Sequence, residues 1–310
     1  VLENGVVKEH IEIERYTRIK EDGGDSLKYL KDIYLRKNNL NIDDIDAWVS
    51  SYPIINLEKN GADTFDNIPK EKIKFFSHHL CHASHAFFSS NLKNSIIITA
   101  DSAGMEEDGS TPSICAYYGS ETNIQKLFQI NSDHFSLGRL WGRATRFIFK
   151  LSSGYPRGHQ AGSVMAMAAF GEHEKYYDDF KKMATKDHQL VSHTPPGYVR
   201  GRYVPPEEDV MHPYLDKYRK IAENSEQEKM NLAASLQKVT EDYLHQIIDQ
   251  SLKILNDNNI DCKNICLAGG VSLNSVFTGK IKKRMGGRID NVFVPPVPYD
   301  GGLSIGACQY

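Results

Sequence analysis

The chain has 310 residues, room for one large domain or two lobes, and its 40% hydrophobic and 25% charged content is ordinary for a soluble globular protein. A net charge of −3 gives no electrostatic case for a dedicated nucleic-acid binder or an anionic-membrane binder, and no apolar run approaches the length of a bilayer span. The five cysteines, Cys81, Cys115, Cys262, Cys266 and Cys308, form no C-x-x-C pair, which argues against a structural zinc or a redox dithiol and for a reducing cytoplasm.

The chain opens as a hairpin, with Val1 to Glu3 and Val6 to Ile11 flanking Asn4-Gly5, the dipeptide suited to a tight primed turn. So short a first strand suggests a chain that starts partway through one. A helix is expected over 25–37, with Leu27, Leu30, Ile33, Tyr34 and Lys37 on one stripe. Residues 47–50 and Ile73–Phe76 read as strands, and 79–89 as a helix. A second, similar series follows at once. Residues 95–100 form a buried strand ending in Asp101; 113–118 and 123–130 are strands joined by a turn at Gly119-Ser120. Helices are expected at 137–149, 164–170 and roughly 228–255, then strand 264–267, helix 273–284, strand 291–294 and a last helix opening near Gly301. This predicts an α/β protein with a duplicated core, units 1–92 and 93–310, packed around a cleft because no Gly/Ser- or Pro-rich linker parts them. The polar stretch 186–225, with Pro195, Pro196, Pro205, Pro206 and Pro213, reads as a cover for the cleft mouth or as a surface loop.

The densest chemistry is His78-His79-Leu80-Cys81-His82-Ala83-Ser84-His85, which holds four of the twelve histidines. On a helix His78 and His82 share a face one turn apart, half of a divalent-metal site; a hydrogen-bonded core pair or a solvated turn is the alternative. In α/β folds ligands gather at the carboxyl ends of strands, and three such ends stand out. Asp101 to Gly104, continued by Asp108-Gly109-Ser110-Thr111, suits a metal ligand beside a phosphate-binding loop, or a turn capped by its Asp. Leu267 to Asn274, with Gly269, Gly270 and Val271, admits a nucleotide close to the backbone, or merely turns from strand to helix. Tyr299-Asp300-Gly301-Gly302 puts an Asp at a helix entrance, as ligand or as N-cap. Two imidazoles and two carboxylates from separate segments suit iron(II), manganese or zinc better than calcium.

These segments resemble the NodU/CmcH carbamoyltransferases. Residues 77–87 are similar to that family's H-H-x-x-H-A-x-S-A-F segment, and Glu14-Arg15-Tyr16-Thr17-Arg18-Ile19-Lys20 to its E-R-F-T-R-x-K. Further matches at 136–138, 145–148, 231–237 and 266–274 follow in order. The resemblance implies duplicated RNase H-like lobes of the actin-like ATPase (sugar kinase) superfamily, close to TsaD, the enzyme that threonylcarbamoylates tRNA. It implies a metal, iron(II) ahead of manganese or zinc, on His78, His82, Asp101 and Asp300, and adenosine against Gly269, Gly270 and Asn274. With the loop readings above, the expected contacts to ATP or carbamoyl-adenylate are Lys20, Gly104, Gly109, Ser110, Thr111, Gly269, Gly270, Val271, Asn274 and Gly301. The implied reaction passes a carbamoyl group to a hydroxyl of a small-molecule or sugar acceptor. A longer protein is expected, with a glycine-rich H-D-x-S loop ahead of Val1 and a YrdC-like domain beyond Tyr310 that makes the adenylate from ATP and carbamoyl phosphate.

A carbamoyl adenylate is a mixed anhydride with AMP as leaving group. His79 or His85, not needed as ligands, is expected to take the acceptor's proton. Arg15 and Arg18 join Lys20 as candidate phosphate contacts, or form a solvated strand end. The chain departs from the family pattern at Ser163, where a lysine is usual, and at His85, where a serine is. Transfer to tRNA is an alternative that the net charge disfavours. A nucleotide-binding actin-like ATPase without transfer chemistry is another, which would need no histidine pair. The sequence leaves homodimer formation open.

Overall fold

The computed structural model describes residues 1–18, 30–51, 68–153, 158–185, 198–199, 202–203 and 213–310. Strands β1 (Leu2–Glu3) and β2 (Val6–Val7) pair antiparallel through Asn4 and Gly5, whose φ angles are 50° and 77°. Positive φ at both central residues is what a type I′ turn demands, so the expected hairpin forms. A short helix α1 (Ile13–Thr17) stops at Arg18, whose φ is 61°. Of the helix expected over 25–37, residues 25–29 lie outside the described residues, and Leu30–Leu35 winds as a π-helix. Strands β3 (Trp48–Ser51) and β4 (Ile73–Phe76) pair in parallel, Trp48 beside Ile73 and Ser51 beside Phe76. Trp48, Leu35 and Ile68 bury one another beneath them.

One residue after β4, α2 (His78–Phe88) carries the histidines. Strands β5 (Asn94–Ala100), β6 (Pro112–Ser120) and β7 (Asn123–Asn131) follow as an antiparallel meander. Helices α3 (Leu137–Arg143), α4 (Ala161–Met167), α5 (Tyr177–Met183), α6 (Pro213–Asn224) and α7 (Glu226–Asp257) come next. Then β8 (Asn264–Ala268), α8 (Ser275–Met285), β9 (Asn291–Phe293) and α9 (Leu303–Gln309) complete the chain. The large sheet has the order β9–β8–β5–β6–β7, with β8 parallel to both β5 and β9.

Three successive isoleucines make β5 central. Alternate side chains of a strand point to opposite faces, so Ile96-Ile97-Ile98 requires cover on both. On one face Ile96 and Ile98 pack with Leu137, Leu236, Val239 and Phe277 of α3, α7 and α8. On the other, Ile97, Cys115, Tyr117 and Cys266 meet Ala83, Ala86 and Phe87 of α2. Each buried isoleucine contributes roughly 1.5–3 kcal/mol. Thus α2, inside the expected first unit 1–92, lies against the sheet of the second.

Two expected boundaries shift for physical reasons. Gly119 and Ser120 belong to β6, opposite Ile124 and Asn123, and the turn is Glu121-Thr122 with Glu121 at φ 54°. Gly119 serves packing instead: a Cβ there would stand 2.9 Å from the Phe87 ring. The helix expected over 137–149 is α-helical only to Arg143 and continues as π turns over Ala144–Ile148, which bury both Phe147 and Ile148. Finally, α9 crosses α2 at two glycines. A Cβ on Gly306 would collide with the Cys81 carbonyl, and one on Gly302 would lie 2.8 Å from the His85 ring. This close crossing carries Asp300 over the first turn of α2.

Candidate metal centre

Helix α2 begins at His78 without a side-chain cap from Ser77, and the loop after β5 takes that role. Glu106 Oε1 accepts from His79 N–H at 3.1 Å, while its Oε2 accepts from Lys126 Nζ at 2.7 Å. A carboxylate there satisfies an orphan N–H and complements the helix dipole. His78 N–H donates to Met105 O at 3.0 Å, and Ser77 Oγ accepts from Glu107 N–H at 3.0 Å. The loop therefore fixes how α2 is rotated, and with it the direction of His78 and His82.

Those two rings lie 4.8 Å apart between centroids. Asp101 directly follows β5, with its N–H donating to Ser113 O at 2.8 Å and its Oδ2 accepting from Gly270 N–H at 3.0 Å. Asp300 opens the 3-10 turn ahead of α9. His82 Nε2 is 3.4 Å from Asp101 Oδ2 and 3.4 Å from Asp300 Oδ1, and His78 Nε2 is 3.7 Å from Asp300 Oδ1. One ligand atom from each of the four falls within 4.8 Å of the others. Both Nε2 atoms are buried and without a hydrogen-bond partner among the described residues. Orphaned buried imidazole nitrogens facing two carboxylates fit a divalent transition-metal ion. Burial works against a charged His82, yet the carboxylates of Asp101 and Asp300, each 3.4 Å from its Nε2, outweigh it and push its pKa up to about 9. Burial raises Asp101, but His82 beside it holds the carboxyl well below the usual range. His78 is lowered, by burial and then by His82. The expected set His78, His82, Asp101 and Asp300 is thus brought together.

The other expected residues fare differently. His79 is fully buried, its Nδ1 2.7 Å from Thr99 Oγ1 and its Nε2 donating to Pro112 O at 2.9 Å. Burial, then the charges of His78 and His82, takes its pKa down to about 3. With both nitrogens engaged it bolts α2 to β5 and β6, and of the two histidines expected as a base it is the one without an unpartnered ring nitrogen. His85 is 3% exposed, and neither ring nitrogen has a partner among the described residues. Burial, then His82, lowers its pKa to about 4.

In the phosphate-binding loop expected at 101–111 the backbone donors are engaged within the fold. Gly104 N–H donates to Pro112 O at 2.9 Å, Gly109 N–H to Glu106 O at 3.0 Å, and Ser110 N–H to Asp108 Oδ1 at 2.9 Å. These donors are consumed by the fold. Gly104 is there because the His78 ring fills the space of a Cβ. Ser110 Oγ accepts from Gln129 at 3.1 Å, and Thr111 Oγ1 lies 3.5 Å from Ser132 Oγ. Gly269 N–H donates to Pro298 O at 2.6 Å, and Gly270 N–H holds Asp101. Val271 is buried. Asn274 caps α8 by accepting from Phe277 N–H at 3.0 Å and is paired both ways with Gln237, at 2.8 and 3.1 Å. Its side-chain oxygen and nitrogen are thus both engaged within the fold. Gly301 offers its carbonyl to His10 Nε2 at 2.8 Å. Arg15 pairs with Glu12 and Glu14, Arg18 is the exposed stop of α1, and Lys20 lies outside the described residues.

Sequence reasoning missed Glu106, His10 and the bond from Tyr299 OH to Glu12, which tie the Asp300 turn and the helix start in place. Met105-Glu106-Glu107-Asp108 looks like a solvated acidic run, and no local signal separates the buried Glu from its exposed neighbours.

A family model described as the carbamoyltransferase N-terminus matches residues 50–309. The chain belongs to that family. Nodulation protein NolNO of Sinorhizobium fredii is 27% identical over 240 residues, which cover 77% of this chain and 31% of that protein. Nodulation protein NolO of Bradyrhizobium diazoefficiens is 26% identical over 74% of the chain and 37% of its own length. An uncharacterized protein of Synechocystis sp. is 28% identical over 75% of the chain and 35% of its own length. The carbamoyltransferase N-terminal chain thus spans about a third of the length of these relatives. A crystal structure of full-length HypF in the phosphate- and nucleotide-bound form aligns with 91% of the chain and 48% of its own, at TM-score 0.47 and 13% identity. T. kodakarensis HypF gives TM-score 0.48 and 16% identity over 91% and 42%. Those alignments are too loose to bear on the chemistry.

Proposed function

We propose that the chain carries the transfer site of a metal-dependent O-carbamoyltransferase, which moves a carbamoyl group from carbamoyl-adenylate to the hydroxyl of a sugar or other small molecule. The observation that carries this reading is the pair of orphaned, buried Nε2 atoms of His78 and His82 facing Asp101 and Asp300, in a chain of the carbamoyltransferase family. The sheet order, three antiparallel strands and then two parallel ones, is that of an RNase H-like lobe and supports an actin-like arrangement. Five unpaired cysteines support a reducing, cytoplasmic compartment. Among the described residues no helix is long and apolar enough to cross a membrane.

A divalent ion on this set, iron(II), manganese or zinc, would supply a Lewis acid for the carbonyl or phosphate oxygen of the donor. The chain's own residues do the rest. Gly270 N–H and Ser102 N–H hold Asp101 in orientation. His82 is fully buried while the Asp300 side chain is 66% exposed, so donor and acceptor approach from the Asp300 side. The acceptor oxygen bonds to the carbamoyl carbon, the bond from that carbon to the phosphate oxygen breaks, and AMP leaves with the electron pair. His85, kept neutral by burial and with neither ring nitrogen hydrogen-bonded among the described residues, receives the hydroxyl proton.

The test supplies the purified protein, joined to the adenylate-forming domain expected beyond Tyr310, with iron(II), ATP, carbamoyl phosphate and a panel of sugars and hydroxylated metabolites, and looks for the mass gain of a carbamate. We expect transfer in the parent protein and none in His82→Ala or Asp101→Asn. His85→Gln should slow transfer by about 10²–10⁴-fold with metal content intact. Transfer that survives loss of the metal ligands would end the proposal.

A further inference from the structure

The two residues that flank Asp300 are each tied to the far end of the chain. His10 Nε2–H donates to Gly301 O at 2.8 Å, and Tyr299 OH donates to Glu12 Oε1. A carbonyl can only accept, so the first bond fixes a proton of His10 on Nε2. Gly301 leaves room for this approach, since a Cβ there would stand 3.1 Å from Glu12 Oε1. The root of the turn is fixed separately: Pro298 O accepts from Gly269 N–H at 2.6 Å, and Tyr299 O from Gly302 N–H at 2.8 Å.

The two carboxylates of the candidate centre are thus oriented by different means. Asp101 accepts from Ser102 N–H at 2.6 Å and from Gly270 N–H at 3.0 Å. Asp300, with its side chain 66% exposed, takes its place from the turn that carries it. Residues 10 and 12 supply two of the bonds that steady this turn. They belong to a segment with little hold of its own. None of residues 1–18 is buried, and their regular structure is a hairpin of two residue pairs and a five-residue helix. Segments with so few buried apolar contacts open at low free-energy cost. Their attachment to the Asp300 turn therefore matters in both directions.

We infer that His10 and the Glu12–Tyr299 pair are positioning residues for Asp300, so that cation binding and the docking of residues 8–12 are coupled. None of the three supplies a ligand; each acts through the turn that holds the carboxylate. By linkage, the factor by which docking of the segment raises cation affinity is the factor by which the cation favours docking. The inference rests on the metal-binding part of the proposed function and not on carbamoyl transfer. Titration of zinc(II) against a competing chelator in the purified protein and its variants tests it. We expect His10→Leu and Tyr299→Phe each to bind zinc(II) about 10–100-fold more weakly. His10→Gln and Glu12→Gln keep a donor and an acceptor in place and should stay close to the parent. A second measurement needs no variant: zinc(II) should slow hydrogen exchange at amides 8–12 of the parent. A segment that opens on its own would exchange at the same rate with and without the bound ion, which would overturn the coupling. Parent-like affinity in both His10→Leu and Tyr299→Phe would overturn the positioning role. A parent that binds no zinc(II) would remove the centre and this inference with it. A protein that shows the coupling yet carbamoylates nothing would count against the transfer reading alone.

Discussion

Glu106 joins three elements with one carboxylate: the N-terminus of α2, the loop after β5 and, through Lys126, strand β7. Replacing it with Ala leaves the His79 N–H and the Lys126 ammonium without their partner. We expect Glu106→Ala to cost about 1–3 kcal/mol in urea unfolding and to weaken cation binding, with Glu106→Gln in between because it keeps an acceptor. Equal cation affinity in all three proteins would show that α2 holds its rotation without the clamp. His245 offers a pH test remote from the metal ligands. Packed edge-on against Phe277 at 5.2 Å, it is held below its usual pKa by burial. The unfolded chain protonates it near pH 6.5, so below that pH the folded protein binds fewer protons. Stability present above about pH 6.5 is then lost as pH falls, by at most about 1.4 kcal/mol per pH unit. His245→Leu should flatten this limb of the stability profile. Helical periodicity made His78 and His82 legible as a pair, since four residues is one turn. It said nothing of His79 and His85, whose roles depend on whether Thr99 and Pro112 or only apolar neighbours stand opposite.

At the scale of elements, the crossing of α9 over α2 governs the site. Gly302 and Gly306 lie one turn apart on α9 and its entrance, and each admits part of α2 where a side chain would stand. Gly306→Ala should therefore cost about 1–3 kcal/mol by overpacking and, by lifting Asp300 away from His78 and His82, lower metal stoichiometry measured by elemental analysis. Full metal content in a destabilised Gly306→Ala protein would separate the crossing from the site. Asn274→Ala should cost about 1–2 kcal/mol through loss of the α8 cap, seen in thermal melting. The sequence announced Asp300-Gly301-Gly302 as a helix entrance, which it is, but a helix-helix contact has no signature in one strand of text. The strands were legible for a similar reason in reverse: β5 and β8 are continuous apolar runs, and such runs require cover on both faces. The π turns after α3 were not, because the pattern of apolar residues is the same for both windings.

For the whole molecule, a cation on this set would tie α2, the end of β5 and the entrance of α9 together. A ligand that binds only the folded state stabilises it by about 2.7 kcal/mol at a hundredfold excess over Kd. We expect the melting temperature to rise with added iron(II), manganese or zinc and to fall on chelation, whereas a protein whose melting ignores all three ions would argue against the centre. The α/β class followed from alternating strands and helices, whereas the parallel pairing of β8 with β5 came only with the structure. The pairing of the first half could not be read so well, since β1–β2 and β3–β4 are separate short ladders whose partners in space have no fixed spacing in sequence. One asymmetry of the centre bears on time rather than affinity. Three of the four side chains are sheltered and Asp300 alone faces water, so it is the hinge of the doorway. Its replacement by Asn should shorten the residence of the ion, with faster exchange into a competing chelator, more than it perturbs the resting geometry.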